Sequence, residues 1–311
     1  MKLGYFPGCS LHATALELDR SLRAIAAPLG VELEEIEDWS CCGATAAHQT
    51  NHLLAISLAA RNLALAERQG LGAVMAPCAA CFSRLATARH EVARDPQTAE
   101  RVGEVLQGEF RNSVEVQSVL ALLQPLTGQI RAHALGRLAG LKVACYYGCL
   151  LLRPPEVVGF DDPEAPSSME SVVEAAGATA VKWSRRLECC GAGLSISRTA
   201  SVVRLGRAIL EDARAAGAEA LVVACPMCHT NLDLRQKAML ERGEAPLPVL
   251  FLTQLVGLGF GFEPERLGLD RHFVSPRALI GRLAAAEPAA LGAGADPAPA
   301  AEAAEPAAKA S

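Results

Sequence analysis

The feature that most limits what this chain can become is a vicinal cysteine pair followed by glycine, and it occurs twice. Trp39-Ser40-Cys41-Cys42-Gly43-Ala44 is echoed by Glu188-Cys189-Cys190-Gly191-Ala192. Around each pair the other cysteines keep one order: a single cysteine, the pair, then Cys-x-x-Cys. The first set is Cys9, Cys41, Cys42, Cys78 and Cys81, and the second is Cys149, Cys189, Cys190, Cys225 and Cys228. Of the 11 cysteines only Cys145 stands outside the pattern.

The repeat extends beyond the cysteines. Leu3-Gly4-Tyr5-Phe6-Pro7-Gly8-Cys9 aligns with Val143-Ala144-Cys145-Tyr146-Tyr147-Gly148-Cys149, and the stretch 72–78 aligns with 219–225. Short apolar runs at 2–6, 31–36, 72–76 and 114–116 predict strands, and amphipathic spacing predicts helices at 13–29, 51–67, 82–92 and 98–106. A helix from Ser118 should be interrupted at Pro125. The second half repeats this, with strands at 142–146, 180–183, 220–224 and 247–251 and helices at 169–176, 198–215 and 231–241. Pro154, Pro155, Pro163 and Pro166 mark 153–168 as a loop.

Alternation of strand and helix argues for an α/β fold with mainly parallel strands. In such sheets ligands gather beyond the carboxyl ends of the strands, where the first cysteine and the Cys-x-x-Cys of each half fall. We expect two pseudo-symmetric domains, 1–140 and 141–283, each a small sheet flanked by helices. The Ala/Pro-rich stretch 284–311 cannot bury a core and is expected to be disordered.

A length of 311 residues suits two domains, and 51% hydrophobic residues suffice for packed cores. A net charge of −5 without a basic block argues against nucleic acid as a partner. No uncharged apolar run is long enough to span a membrane. The first residues already read as a strand and lack a secretory apolar region, so a cytoplasmic protein with reduced thiols is expected.

Thiolates are soft ligands, and four of them suit zinc or an iron–sulfur cluster. Each half offers five, more than tetrahedral zinc or an ordinary cubane requires. Adjacent side chains in an extended loop diverge, so Cys41 and Cys42 would reach different metal atoms or bridge two. That favours several irons. A zinc-stabilised interaction module remains an alternative, and any single cysteine could be a core residue.

The doubled pattern, together with Phe6-Pro7-Gly8-Cys9, Asp38-Trp39-Ser40-Cys41-Cys42-Gly43-Ala44 and Pro77-Cys78-Ala79-Ala80-Cys81, resembles the cysteine-rich CCG domains of the heterodisulfide reductase B-subunit family. The resemblance runs from Met1 to about Gly261, and the alanine-rich composition points to a bacterial member. One departure is Gly193, which stands where the first half has Thr45. The resemblance implies two noncubane [4Fe-4S] clusters, each held by the five cysteines of one set. It implies a catalytic iron–sulfur protein that reduces a disulfide held between them, or oxidises thiols in reverse. In methanogens the substrate is the mixed disulfide of coenzymes M and B.

The chain holds neither a ferredoxin motif nor a dinucleotide fingerprint. The resemblance therefore implies two partners from the same kind of complex: a ferredoxin-like iron–sulfur protein of the C-subunit type and a flavoprotein of the A-subunit type. Other CCG proteins imply an alternative, an electron-transfer component of a lactate-, glycolate- or succinate-type oxidoreductase.

Remaining candidates are weaker. Cys145 aligns with Tyr5 and reads as a buried strand residue. His48, His52 and His229 could donate protons, but surface or supporting roles are the default. Tyr5, Tyr146 and Tyr147 could bond cluster sulfurs, with core packing the default, and Trp39 should pack beside the first set. Arg153 and Lys182 could meet an anionic substrate, or be solvated.

Overall fold

In the computed structural model, residues 1–44 and 47–285 are described. Eight strands form two separate four-stranded parallel sheets. β1 (Lys2–Tyr5), β2 (Glu32–Glu35), β3 (Ala73–Met75) and β4 (Glu115–Gln117) stand in the order β2-β1-β3-β4. β5 (Lys142–Tyr146), β6 (Thr179–Ala180), β7 (Ala220–Val223) and β8 (Val249–Phe251) stand in the same relative order, β6-β5-β7-β8. The register pairs Leu3 with Leu33 and Gly4 with Val74 in one sheet, and Val143 with Ala180 and Ala220 in the other. Strand order reverses between the first and third strands of each sheet. That is where an open parallel sheet leaves a crevice at its carboxyl edge.

Helices cover both faces, so the middle strands are buried and nearly all apolar. The starts of several helices are written in the sequence. Asn51 accepts the Leu54 amide ahead of the His52–Arg68 helix, and Asp95 accepts two amides with Pro96 as the first helical residue. Ser118 caps Val119–Leu123, and the chain passes Pro125 as a short 3-10 turn before resuming helix at Thr127–His133.

Four expectations are corrected. The helix expected at 13–29 is a turn at Gly8–Leu11 and a helix at Leu16–Ala26, closing before Pro28. The strand expected at 180–183 stops at Ala180. Beyond it Trp183 donates to the Cys145 carbonyl, and just past the expected strand the Ser184 and Arg185 amides bond the Asp212 carboxylate. The helix expected at 231–241 starts at Pro226, inside the Cys-x-x-Cys, and ends at Leu234, with Gln236–Met239 as a further turn. Residues 284 and 285, expected in the tail, end the Arg277–Ala285 helix, and the rest of the tail lies outside the described residues. Within the loop 153–168 there is one helical turn, Pro155–Val158.

The halves pack directly on each other. The Leu16–Ala26 helix lies against Leu252–Gly259, where buried Ser21 and Thr253 hydroxyls meet at 2.7 Å.

Candidate metal centre

Both Cys-x-x-Cys segments use one local device. Cys78 and Cys225 are extended residues that directly precede the Ala79–Arg94 and Pro226–Leu234 helices. The second cysteine then falls in the first helical turn. Spacing of two residues thus brings both thiols to a helix N-terminus, where unpaired amides favour negative sulfur. The first cysteines follow β1 and β5 through Gly8 and Gly148, whose φ angles are +62° and +67°. A Cβ at Gly8 would stand 2.9 Å from Cys81 Sγ, and one at Gly148 would stand 3.2 Å from Cys228 Sγ. Glycine therefore serves both the left-handed backbone and the close approach of sulfur.

The vicinal pairs come in from the loops after β2 and β6. Cys42 Sγ lies 3.3 Å from Cys81 Sγ, and Cys190 Sγ lies 3.4 Å from Cys228 Sγ. Cys149 and Cys189 sulfurs are 4.0 Å apart. The amides of Gly43 and Gly191 donate to the sulfurs of Cys41 and Cys189 at 3.4 and 3.3 Å. Cys9 lies near enough to Cys41 to act on it electrostatically. Hydrogen bonds from Cys41 and Cys81 hold the Cys42 thiol down to about 3. A hydrogen bond from Cys149 lowers Cys189 to about 6. Thiols this close are pushed toward sharing protons, the condition in which a metal ion displaces them most readily. All 11 cysteines are free. Five soft donors, two of them on a helix terminus and one beside a glycine cradle, suit a thiolate-bound metal group in each half.

The two sets adjoin. Cys78 and Cys225 thiols meet across the seam between the halves; Cys78 is raised chiefly by Cys225, and Cys225 is lowered first by Cys228 and then by Cys78. Beside them opens a cleft of about 440 Å³. Cys149, Cys190, Cys225 and Cys228 form its wall from the second half. Ala44, His48, Gln49, Ala79 and Ala80 face them from the first. Among the described residues no Lys, Arg, Asp or Glu lines it. Ile196 stands at its rim almost fully exposed.

The remaining sequence candidates separate. Cys145 is buried in β5, as expected. The tyrosine hydroxyls bond oxygen: Tyr5 to Asp19 at 2.6 Å, Tyr146 to the Glu188 carbonyl at 2.5 Å, and Tyr147 to Glu170. Trp39 packs edge-on against Phe6, 5.6 Å between ring centres, and Phe6 borders Gly8 in turn. His52 pairs with Glu91 at 2.7 Å on the surface. Arg153 is tied to Glu164 at 2.8 Å, and neither Arg153 nor Lys182 lines the cleft.

His229 is not a surface residue. It is buried, stacks on Phe251 at 4.3 Å and bonds the Val249 carbonyl at 3.1 Å. Burial pushes its imidazole down to about 3. Asp233 and His272 lie beside it and escaped sequence reasoning, because His272 arrives from the far C-terminal segment. Hydrogen bonds commit this trio to a structural role. Gln254 donates to His272 Nε2 at 2.9 Å, and Asp233 accepts the Phe273 and Val274 amides.

Duplicated parallel α/β halves, each bringing its own set of cysteines to the carboxyl edge of its sheet, define a cysteine-rich metal-binding protein with a doubled fold. The chain matches the cysteine-rich domain called CCG over residues 3–86 and 143–233, and it belongs to that family. It is 35% identical to the membrane anchor of the 8-methylmenaquinol:fumarate reductase of Wolinella succinogenes, over 89% of this chain and 99% of that one. It is 29% identical to the B component of the ferredoxin:CoB-CoM heterodisulfide reductase of Methanosarcina mazei, over 88% of this chain and 94% of that one. A crystal structure of a hypothetical protein from Helicobacter pylori shares the fold, with a TM-score of 0.70 at 14% identity, covering 88% of this chain and 52% of the other. Among the described residues no helix is long and apolar enough to cross a membrane.

Proposed function

We propose that this chain is the component of a multisubunit oxidoreductase in which electrons meet an organic two-electron substrate. In this reading Cys9, Cys41, Cys42, Cys78 and Cys81 hold one noncubane [4Fe-4S] cluster. Cys149, Cys189, Cys190, Cys225 and Cys228 hold the second, and the units divide at 140/141. Such clusters would supply electrons one at a time; two electrons with two protons convert a disulfide to two thiols, and the reverse releases both. The observation that carries the reading is the cleft between the halves, walled by four sulfurs of the second set and adjoining Cys78 of the first.

The chain's own residues do the rest. Ala44, Ala79 and Ala80 leave room for the substrate opposite the sulfurs, while Leu150, Met227 and Ile196 keep the opening apolar. His48 is the imidazole on the cleft wall, placed to give a proton to a departing thiolate. Electrons come from a ferredoxin-like partner and, behind it, a flavoprotein, in the cytoplasm.

A second reading is favoured by the Wolinella relative and by the uncharged cleft: electron transfer with a quinol in a fumarate reductase-type complex. Iron, acid-labile sulfide and zinc in anaerobically purified protein, with electron paramagnetic resonance (EPR) after adding thiol or a quinol analogue, separate the readings. About eight irons with a thiol-dependent signal supports disulfide chemistry. Full iron that answers only to quinol moves the assignment to the second reading. Zinc in place of iron ends both.

A further inference from the structure

The two cysteine sets share order and glycines but differ in what bonds their sulfurs. Asn231 lies three residues after Cys228, where the first half has Arg84 after Cys81. It is 1% exposed. Its Nδ2 donates to the Cys190 carbonyl at 3.2 Å and to Cys190 Sγ at 3.8 Å. The orientation of the amide is settled by its other end. Oδ1 accepts from Ser195 Oγ at 2.9 Å and from Arg235 Nε at 3.3 Å, and a guanidinium can only donate. Arg235 also holds the Ser195 carbonyl at 2.9 Å, so the N–H end is kept turned toward Cys190.

The first half solves the same loop-anchoring problem differently. Asn62, on the His52–Arg68 helix, accepts the Ser40 amide at 2.8 Å and donates to the Ser40 and Leu58 carbonyls at 3.0 Å. It holds the backbone before Cys41 and leaves the sulfurs alone. Among the described residues no side-chain amide donates to a sulfur of the first set.

We infer that Asn231 is a positioning residue that makes the two centres inequivalent, giving the one held by the second set the higher reduction potential. The inference rests on the proposed cluster reading. Reduction adds negative charge that spreads onto the ligating sulfurs, and an N–H donor on a thiolate stabilises the reduced form more than the oxidised. Burial strengthens the contact. Cleft placement gives the asymmetry a direction. Sulfurs lining the cleft come from the second set, so electrons entering through the first set come to rest beside the substrate.

The test is an EPR-monitored redox titration of the anaerobic holoprotein, with Cys42→Ser used to identify the signal of the second set. Asn231→Leu removes the donor without adding charge; Asn231→Ala is the second variant should the first not fold. At a fixed potential the reduced-to-oxidised ratio of the second centre is expected to fall about tenfold, the scale of one charge-assisted hydrogen bond, with the first centre unmoved. Ser195→Ala, which removes a bond to Oδ1 but not the N–H contact, should shift neither. Equal shifts of both centres, or none in a fully loaded variant, would overturn the inference while leaving the cluster reading intact. Wild-type protein without iron would overturn both.

Discussion

Cys78 and Cys225, the leading thiols of the two Cys-x-x-Cys turns, face one another across the seam between the halves. Each is fixed by the start of its own helix, so docking the halves brings two separate thiol groups into contact. On the proposed reading of one four-iron cluster per set, replacing Cys225 with serine should remove about half of the iron and also alter the EPR lines of the centre that remains. Cys9→Ser, at an exposed position for which no contact with the second set is seen among the described residues, should remove a similar share with the other spectrum unchanged. Identical effects from both variants would show that the contact does not couple the centres.

Gly8 and Gly30 have nearly the same left-handed φ, +62° and +64°, but different surroundings. A Cβ at Gly30 meets nothing within 4 Å, whereas at Gly8 it meets Cys81 Sγ at 2.9 Å. Gly30→Ala should cost about 1–2 kcal/mol of backbone strain in urea unfolding and leave iron content unchanged. Gly8→Ala should cost more and lower iron in the first set. The same change at Gly148, where the gap is 3.2 Å, should be milder.

Ser21 and Thr253 tie the halves together through buried hydroxyls. Ser21 Oγ already donates to the Glu17 carbonyl at 2.8 Å, so Thr253 is the donor between the two. Ser21→Ala strands a buried donor and should cost about 1–3 kcal/mol. Thr253→Val leaves Ser21 its carbonyl and should cost less. The double variant should recover part of the loss in a denaturation cycle, and strict additivity would contradict the assignment.

His272 is buried, with its imidazole pushed down to about 4 by loss of solvent. The unfolded chain therefore binds this proton more tightly than the folded one. Its contribution is fully present above the unfolded value near 6.5 and is lost as pH falls from there toward 4, up to about 3 kcal/mol. His272→Gln should flatten the pH dependence of urea midpoints over that window. An unchanged slope would place the acid sensitivity elsewhere.

Much of this protein was legible in order. The five-point cysteine pattern, the amphipathic spacing and the short apolar runs fix the strands, most helices and the duplication, because each depends on neighbours in sequence. Boundaries failed where tertiary contacts supply the backbone's partners. Asp212 takes the Ser184 and Arg185 amides just past the expected end of β6, and both helices that follow the third strands start inside their own Cys-x-x-Cys. Three things belong to the tertiary structure alone: the meeting of Cys78 with Cys225, the uncharged cleft with His48 on one wall, and the burial of His229 under His272. Each joins residues from distant parts of the chain, and only packing one half against the other, or the C-terminal segment against its helix, brings them within reach.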